Sequence, residues 1–169
     1  LLMDHAWGWE PVTIQDIKAY KPQTNSLGTG QVLSEPYPYE KARLIVKEMG
    51  ELLSLDLVKK HLVTDQLVLT VGYDAKSLEK GFYKGEIKQD WYGKQIPKHG
   101  HGTIHLKRKT SSTKLILENL MILYERIVDE NLLIRRINIT ACNTLHEDVL
   151  KNHIEFEQLD LFSDYETIE

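Results

Sequence analysis

The chain has 169 residues, a net charge of −4 and a single cysteine, Cys142. That length suffices for one domain with a sizeable hydrophobic core and flanking arms. One cysteine excludes an internal disulfide, and no apolar run approaches the roughly 18 residues that a membrane span requires. We therefore expect a cytoplasmic protein in a reducing compartment, with no membrane partner.

The negative charge is concentrated at the C-terminus. Residues 155–169 contain six acidic residues and neither lysine nor arginine. The 25 acidic residues of the chain less these six leave 19 against 21 basic residues in positions 1–154. The body of the chain is therefore slightly basic, and its acidic tail is of a kind that is usually mobile in solution.

The first segments predict an arm and a strand. Residues 1–20 contain apolar side chains without a convincing period, and Pro22 disfavours helix at the residue before it. A first strand is predicted over residues 26–33, followed by a turn over 34–38. The two glycines of that strand indicate a bulge or another backbone close by, and a flexible loop is the alternative.

The next segments predict a helix, a strand and a long connection. Pro38 suits the first turn of a helix, and apolar residues recur at helical spacing from residue 39 to about 57. Residues 66–73 alternate like a half-buried strand. Residues 74–101 form a connection of a length that is uncommon in compact domains and often functional or disordered.

Two strands with basic outer faces follow, joined by an amphipathic helix. In 102–109, Ile104 and Leu106 face one way and the polar side chains face the other. The helix after residues 110–113, which offer several N-cap candidates, carries an apolar stripe from residue 115 to 127. The strand over 132–141 alternates apolar and polar side chains in the same way.

The element order β-α-β-β-α-β predicts the α+β class and a ferredoxin-like arrangement. We expect a four-stranded antiparallel sheet with two helices on one face and the other face open. Cationic and polar side chains on an open face suit phosphate oxygens. The alternative is that these lysines and arginines are an ordinary solvated surface.

Four segments resemble the C-terminal part of bacterial Y-family (translesion) DNA polymerases of the UmuC, ImpB-MucB-SamB type. They are residues 21–28 (KPQTNSLG), 101–106 (HGTIHL), 110–114 (TSSTK) and 134–139 (IRRINI), in the family's order. The resemblance implies four regions. Residues 1–20 would end the thumb, 21–27 would be a linker, 26–147 would form the little finger (polymerase-associated) domain, and 148–169 would be an acidic tail.

In that family the little finger lies in the major groove of the primer–template duplex and contacts mainly sugar-phosphate, which implies binding that is independent of base sequence. Contacts to the DNA backbone are expected from Lys107 and Arg136 above all, because strand alternation places their side chains on the open face. Arg108 and Arg135 are predicted to contribute as well, with the alternative that they turn inward or lie at an edge. The full set predicted from the resemblance and the alternation is Ser26, Gly28, Thr29, Thr103, His105, Lys107, Arg108, Lys109, Arg135, Arg136, Asn138 and Thr140.

The resemblance also implies what this chain lacks. The family's palm carboxylates, which hold two Mg²⁺ ions for nucleotidyl transfer, correspond to sequence before residue 1. We therefore expect no catalytic residue and no cofactor in this chain, and no polymerase activity from it alone. The implied setting is DNA repair and SOS damage tolerance, with accessory SOS proteins as further candidate partners.

The tail carries a pentapeptide by which many bacterial replication proteins dock on the β sliding clamp. It comprises Gln158, Leu159, Asp160, Leu161 and Phe162. The glutamine can satisfy polar groups at a pocket rim, while the leucine and phenylalanine can fill an apolar cleft. Five residues are a weak pattern by themselves, and the alternative is that Phe156, Leu159 and Phe162 pack on the chain's own domain.

Other functions are weaker fits to the sequence. His99, His101 and His105 could suggest zinc, but zinc needs four ligands and the single cysteine is distant in sequence, so we expect no metal site. An RNA-recognition module of the same fold needs aromatic residues on its open face, where this sequence has Thr103, His105 and Lys107. A protein-interaction module with an acidic tail is a further alternative.

Overall fold

The computed structural model describes residues 8, 12–20, 25–79, 83–90 and 93–151, without the side chains of 150 and 151. Its helices are α1 (Ile14–Ala19), α2 (Tyr39–Lys59), α3 (Lys76–Glu79), α4 (Thr113–Ile127) and α5 (Glu147–Lys151). Its strands are β1 (Leu27–Tyr37), β2 (Leu62–Tyr73), β3 (Ile87–Gln89), β4 (Gln95–Pro97), β5 (Gly100–Thr110), β6 (Ile134–Cys142) and β7 (Leu145–His146). None of the helices in these ranges has the length and hydropathy needed to cross a bilayer.

The main sheet is antiparallel throughout, in the order β1-β6-β2-β5. Strand β6 lies between the two strands that α2 connects, and β2 lies between the two that α4 connects. The α+β class and the β-α-β-β-α-β order are confirmed. The expected count of four strands is wrong, because β7 pairs with the first residues of β2 and makes the sheet five-stranded.

One hydrophobic core lies between this sheet and the two long helices. It includes side chains from the four long strands and from both helices, so α2 and α4 cover the same face of the sheet. The phenol of Tyr124, fully buried, donates a hydrogen bond to the carbonyl oxygen of Tyr39 at 2.8 Å. The largest fully buried side chains are those of Val46, Leu53, Leu57, Leu67, Leu69, Ile116, Leu120, Leu123, Tyr124, Ile134, Ile137 and Ile139.

The two helices approach closely at Gly50. A Cβ atom there would come within 2.8 Å of Leu120 Cδ2 and 2.9 Å of Leu117 Cδ2, so the missing side chain lets the helices pack. Nearby, the hydroxyl groups of Ser54 and Thr113 hydrogen-bond at 2.8 Å across the same contact. The cost of glycine in a helix interior, up to about 1 kcal/mol, is thus offset by packing.

Several boundaries differ from the sequence prediction. Strand β1 continues to Tyr37 through the residues predicted as a turn; it is an edge strand, where Pro36 can be tolerated without breaking a central ladder. Strand β2 begins at Leu62 because its first residues pair with β7. The long connection is also structured, since it contains α3 and the β3–β4 hairpin.

Two neighbouring leucines on α2 test this core. Leu53 is 1% exposed and Leu52 is 57% exposed. Leu53→Ala should lower the free energy of unfolding by about 2–5 kcal/mol, because it removes buried methyl groups and leaves a cavity. Leu52→Ala, the matched control, should change it by about 0.5 kcal/mol or less. Urea unfolding followed by circular dichroism measures both, and equal losses would contradict the packing described here.

Candidate functional site

The face of the sheet opposite the helices is built from cross-strand rows of outward side chains. The rows are Val32–Arg136–Gly72, Gly30–Asn138–Thr70–His101, Gly28–Thr140–Val68–Thr103 and Cys142–Gln66–His105. The two middle rows consist of glycine, threonine, asparagine, valine and histidine, without lysine or arginine. The centre of the open face is therefore mainly uncharged, and its permanent charges lie toward the margins.

The glycines of β1 are overlaid by side chains from β6. A Cβ atom on Gly30 would overlap the carboxamide oxygen of Asn138, and one on Gly28 would lie 3.1 Å from Thr140 Oγ1. The pairing of β1 with β6 is regular from Leu27 to Val32, so the predicted bulge does not occur there. The close approach that the glycines indicated is made by side chains of the neighbouring strand.

Lys107 and Arg136, the two favoured residues, are both exposed. Lys107 follows Leu106, a core residue of β5, and Arg136 precedes Ile137, a core residue of β6. By strand alternation the side chain of Arg136 points away from the helices. Lys107 is exposed within the stretch of β5 whose register with β2 shifts. They lie near opposite ends of the open face, because Arg136 belongs to the first row and Lys107 lies beyond the last.

The end of β5 is irregular. Its register with β2 shifts between His105 and Thr110, and the exposed Arg108 lies within this shifted stretch. The ammonium of Lys109 donates hydrogen bonds to Asp65 Oδ2 at 2.6 Å and to the carbonyl oxygen of Asn143 at 3.2 Å. The hydrogen bond from Lys109 holds the pKa of Asp65 below its ordinary value. The charge of Lys109 is thus compensated within the fold.

A bulge in β6 changes the position of Arg135. Arg136 pairs with Gly72 but Ile134 pairs with Tyr73, so Arg135 is an extra residue without a partner on β2. Ile134 and Ile137 are both fully buried with two residues between them. Arg135 does not lie at a sheet edge, the alternative considered for it: β6 is an inner strand, and Arg135 is half-buried and lines a cleft together with Arg136.

That cleft separates the open face from the β3–β4 hairpin. Besides Arg135 and Arg136, its lining includes Lys94 and Asp90 of the hairpin. Sequence reasoning missed Lys94. The unusual length of the connection over residues 74–101 was the signal that could have drawn attention to it.

The remaining predicted residues are placed as follows. Ser26 is exposed just before β1. Thr29 pairs with the buried Ile139, so its side chain lies on the helix-covered side and only its backbone is available to the open face. Thr103 and His105 belong to the outward rows. Residues 158–162, the predicted clamp motif, lie outside the described residues.

His99 and His101 lie close to each other at the start of β5. His101 Nδ1 lies 2.8 Å from Thr70 Oγ1, its cross-strand neighbour, and the rings of His99 and His101 are 6.3 Å apart. Within the described ranges no group of three or more His, Cys, Asp or Glu side chains could hold a metal ion. Desolvation raises the pKa of Cys142, which disfavours its reactive thiolate form.

Comparison with known proteins finds similarity to solved structures. No family model matches the chain, and no curated protein matches it. The chain is similar in structure to a solved chain from a complex of the beta-clamp processivity factor and the little finger domain of PolIV. The identity is 8%, the TM-score is 0.44, and the match covers 69% of this chain and 86% of that one.

The overlay of Asn138 on Gly30 can be tested with a double-mutant cycle. Gly30→Ala should cost about 1 kcal/mol of stability, because the new methyl group displaces the carboxamide of Asn138. In an Asn138→Ala background the same change should be nearly neutral, since the backbone of residue 30 does not have positive φ. Urea unfolding of the four proteins gives a coupling of about 1 kcal/mol if the contact exists, and additive effects would contradict it.

Proposed function

We propose that this chain is the duplex-DNA-binding little finger part of a translesion DNA polymerase. The observation that carries the proposal is the open face of the sheet, which is mainly polar and is covered by neither long helix. The four sequence segments that resemble the Y-family are the reason for proposing a translesion DNA polymerase as the parent enzyme. The proposed setting is DNA repair and SOS damage tolerance in the cytoplasm.

The rows of the face suit sugar-phosphate better than base edges. Glycines on β1 keep its outer surface low, and hydroxyl and amide groups from Thr140, Thr103 and Asn138 can donate to phosphate oxygens. Lys107 and Arg136, at the two ends, supply charge to backbone phosphates. Contacts of this kind position a duplex without reading its sequence, which a polymerase working on damaged template requires.

No catalytic step is assigned to these residues. The parent enzymes of the family use carboxylates with two Mg²⁺ ions, and the described residues provide no carboxylate cluster that fits such a pair. We propose that this chain contributes grip and partner docking, while the chemistry belongs to the palm of the parent polymerase.

The tail supplies the second part of the proposal. Residues 158–162 have the composition of a clamp-docking peptide, with Leu161 and Phe162 as apolar anchors and Gln158 as the polar contact. An acidic segment that orders on binding can reach a partner while the sheet holds the duplex. We propose the β sliding clamp as that partner.

The DNA proposal predicts a salt-dependent affinity. Lys107→Ala and Arg136→Ala should each weaken binding to a labelled DNA duplex and reduce the slope of log affinity against log salt by about 0.9, the value of one phosphate contact. Lys59→Ala is the matched control, because Lys59 is exposed on α2, on the helix-covered side. Fluorescence anisotropy at several salt concentrations measures all four proteins.

Two results would contradict the DNA-binding proposal and favour another function. A wild-type affinity that does not change with salt would favour a protein-interaction module. Tighter binding to single-stranded RNA than to the DNA duplex would favour an RNA-recognition module, although the outward rows carry no phenylalanine, tyrosine or tryptophan for stacking bases.

The clamp proposal predicts that the two apolar anchors dominate docking. The double variant Leu161→Ala, Phe162→Ala should bind purified clamp at least about tenfold more weakly, because buried anchors carry most of the energy of such interfaces. Tyr165→Ala, Ile168→Ala is the control, since it removes apolar groups from the same tail outside the motif. Calorimetric titration measures both, and unchanged affinity of the first variant would end the clamp assignment.

A further inference from the structure

The cleft between the β3–β4 hairpin and the bulged part of β6 has a volume of about 540 Å³. Pockets that take small organic ligands have volumes of roughly 300–1,000 Å³. Thr70 and Asn138 line the cleft and also belong to the second row of the open face. The cleft is therefore continuous with the face proposed to bind DNA.

The bulge gives this cleft two guanidinium groups instead of one. In a regular strand, successive side chains point to opposite faces. Here Arg135 and Arg136 both line the cleft, because the extra residue re-aims the chain. Within the described part of the chain, neither guanidinium has a hydrogen bond or ion pair. Both remain available to a ligand.

The hairpin holds a third cation on the opposite wall. The N–H of Asp90 donates to the carbonyl oxygen of Lys94 at 2.9 Å, and the N–H of Lys94 donates to Asp90 Oδ1 at 2.8 Å. At the base of the hairpin, Lys98 Nζ donates to Glu86 Oε2 at 2.6 Å. These contacts fix the backbone from which the Lys94 side chain extends into the cleft.

The charges of the cleft favour a single phosphate group. Lys94, Arg135 and Arg136 are opposed by two carboxylates, those of Asp74 and Asp90. Asp74 Oδ1 accepts a hydrogen bond from the N–H of Lys76 at 2.9 Å and so has a local role at the start of α3. Three cations and two carboxylates leave a net charge of about +1 in the cleft. This charge matches the single negative charge of a phosphodiester better than the several charges of a polyphosphate. Arginine also binds phosphate oxygens in bidentate geometry.

We propose that this cleft is a phosphate-ester site, held between the hairpin and the β6 bulge, that takes one backbone phosphate of the nucleic acid lying on the open face. The source of the phosphate rests on the proposed function, whereas the site itself follows from the bulge and the hairpin. A free nucleotide has the same phosphate-ester chemistry, so the experiment separates the two sources.

The first arm of the test uses the full chain and a labelled DNA duplex. Lys94→Gln and Arg135→Gln should each weaken duplex binding about three- to tenfold and lower the salt slope by about one contact. Lys88→Gln is the matched control, because Lys88 is exposed on the same hairpin and does not line the cleft. Its affinity should stay within about twofold of the wild type. Thermal melting verifies that every variant is folded.

The second arm adds adenosine monophosphate to the ¹⁵N-labelled protein and follows the amide signals of Gly72 and Arg135. Shifts that occur in the wild type and vanish in Lys94→Gln support the site with a free nucleotide as its source, even if duplex binding fails. Unchanged duplex affinity of both cleft variants together with no shifts overturns the site. In that case a retained effect of Lys107→Ala would leave the DNA-binding proposal intact.

Discussion

The packing of both long helices against one face of the sheet is the constraint on which the rest depends. Helix α2 and helix α4 share a contact at Gly50, and together they bury the inward side chains of all four long strands. Because both helices are on the same side, the opposite face is left without cover from either of them. A sheet of this kind must present side chains to its surroundings that are tolerable in water, and here these are mostly small and polar.

The open face shows how neighbouring strands determine one another. Gly30 on β1 has no side chain, and the carboxamide of Asn138 on β6 lies in the space that a side chain would take. Thr140 lies close to Gly28 in the same way. The outer surface is therefore a joint product of two strands distant in sequence. Its mainly uncharged centre and its charged margins are the features from which the binding of a nucleic-acid backbone is proposed.

The margin near the hairpin differs from the rest of the face. A single extra residue in β6 brings Arg135 beside Arg136, and the hairpin brings Lys94 to the same cleft. At the other margin the fold does the opposite, because Lys109 is neutralised by Asp65. One lysine is thus compensated near the end of β5, whereas two arginines and one lysine share a cleft at the opposite end of the face.

The sequence by itself determined the order of the elements and the facing of most side chains. Alternation in β5 and β6 correctly placed Ile104, Leu106, Ile137 and Ile139 inward, because strand periodicity is a local property of the chain. The apolar stripe of α4 was predicted equally well. Ser112, one of the N-cap candidates, is the N-cap residue by position, but its side chain makes no capping hydrogen bond.

Only the tertiary structure decided the features that depend on pairing between distant segments. The β6 bulge, the pairing of Lys109 with Asp65 and the fifth strand each require a register between residues far apart in sequence. A one-residue change in register moves a side chain to the other face, and no local pattern encodes it. For that reason Lys94 became a candidate ligand-binding residue, and the cleft that it shares with Arg135 became visible, only once the strands were in place.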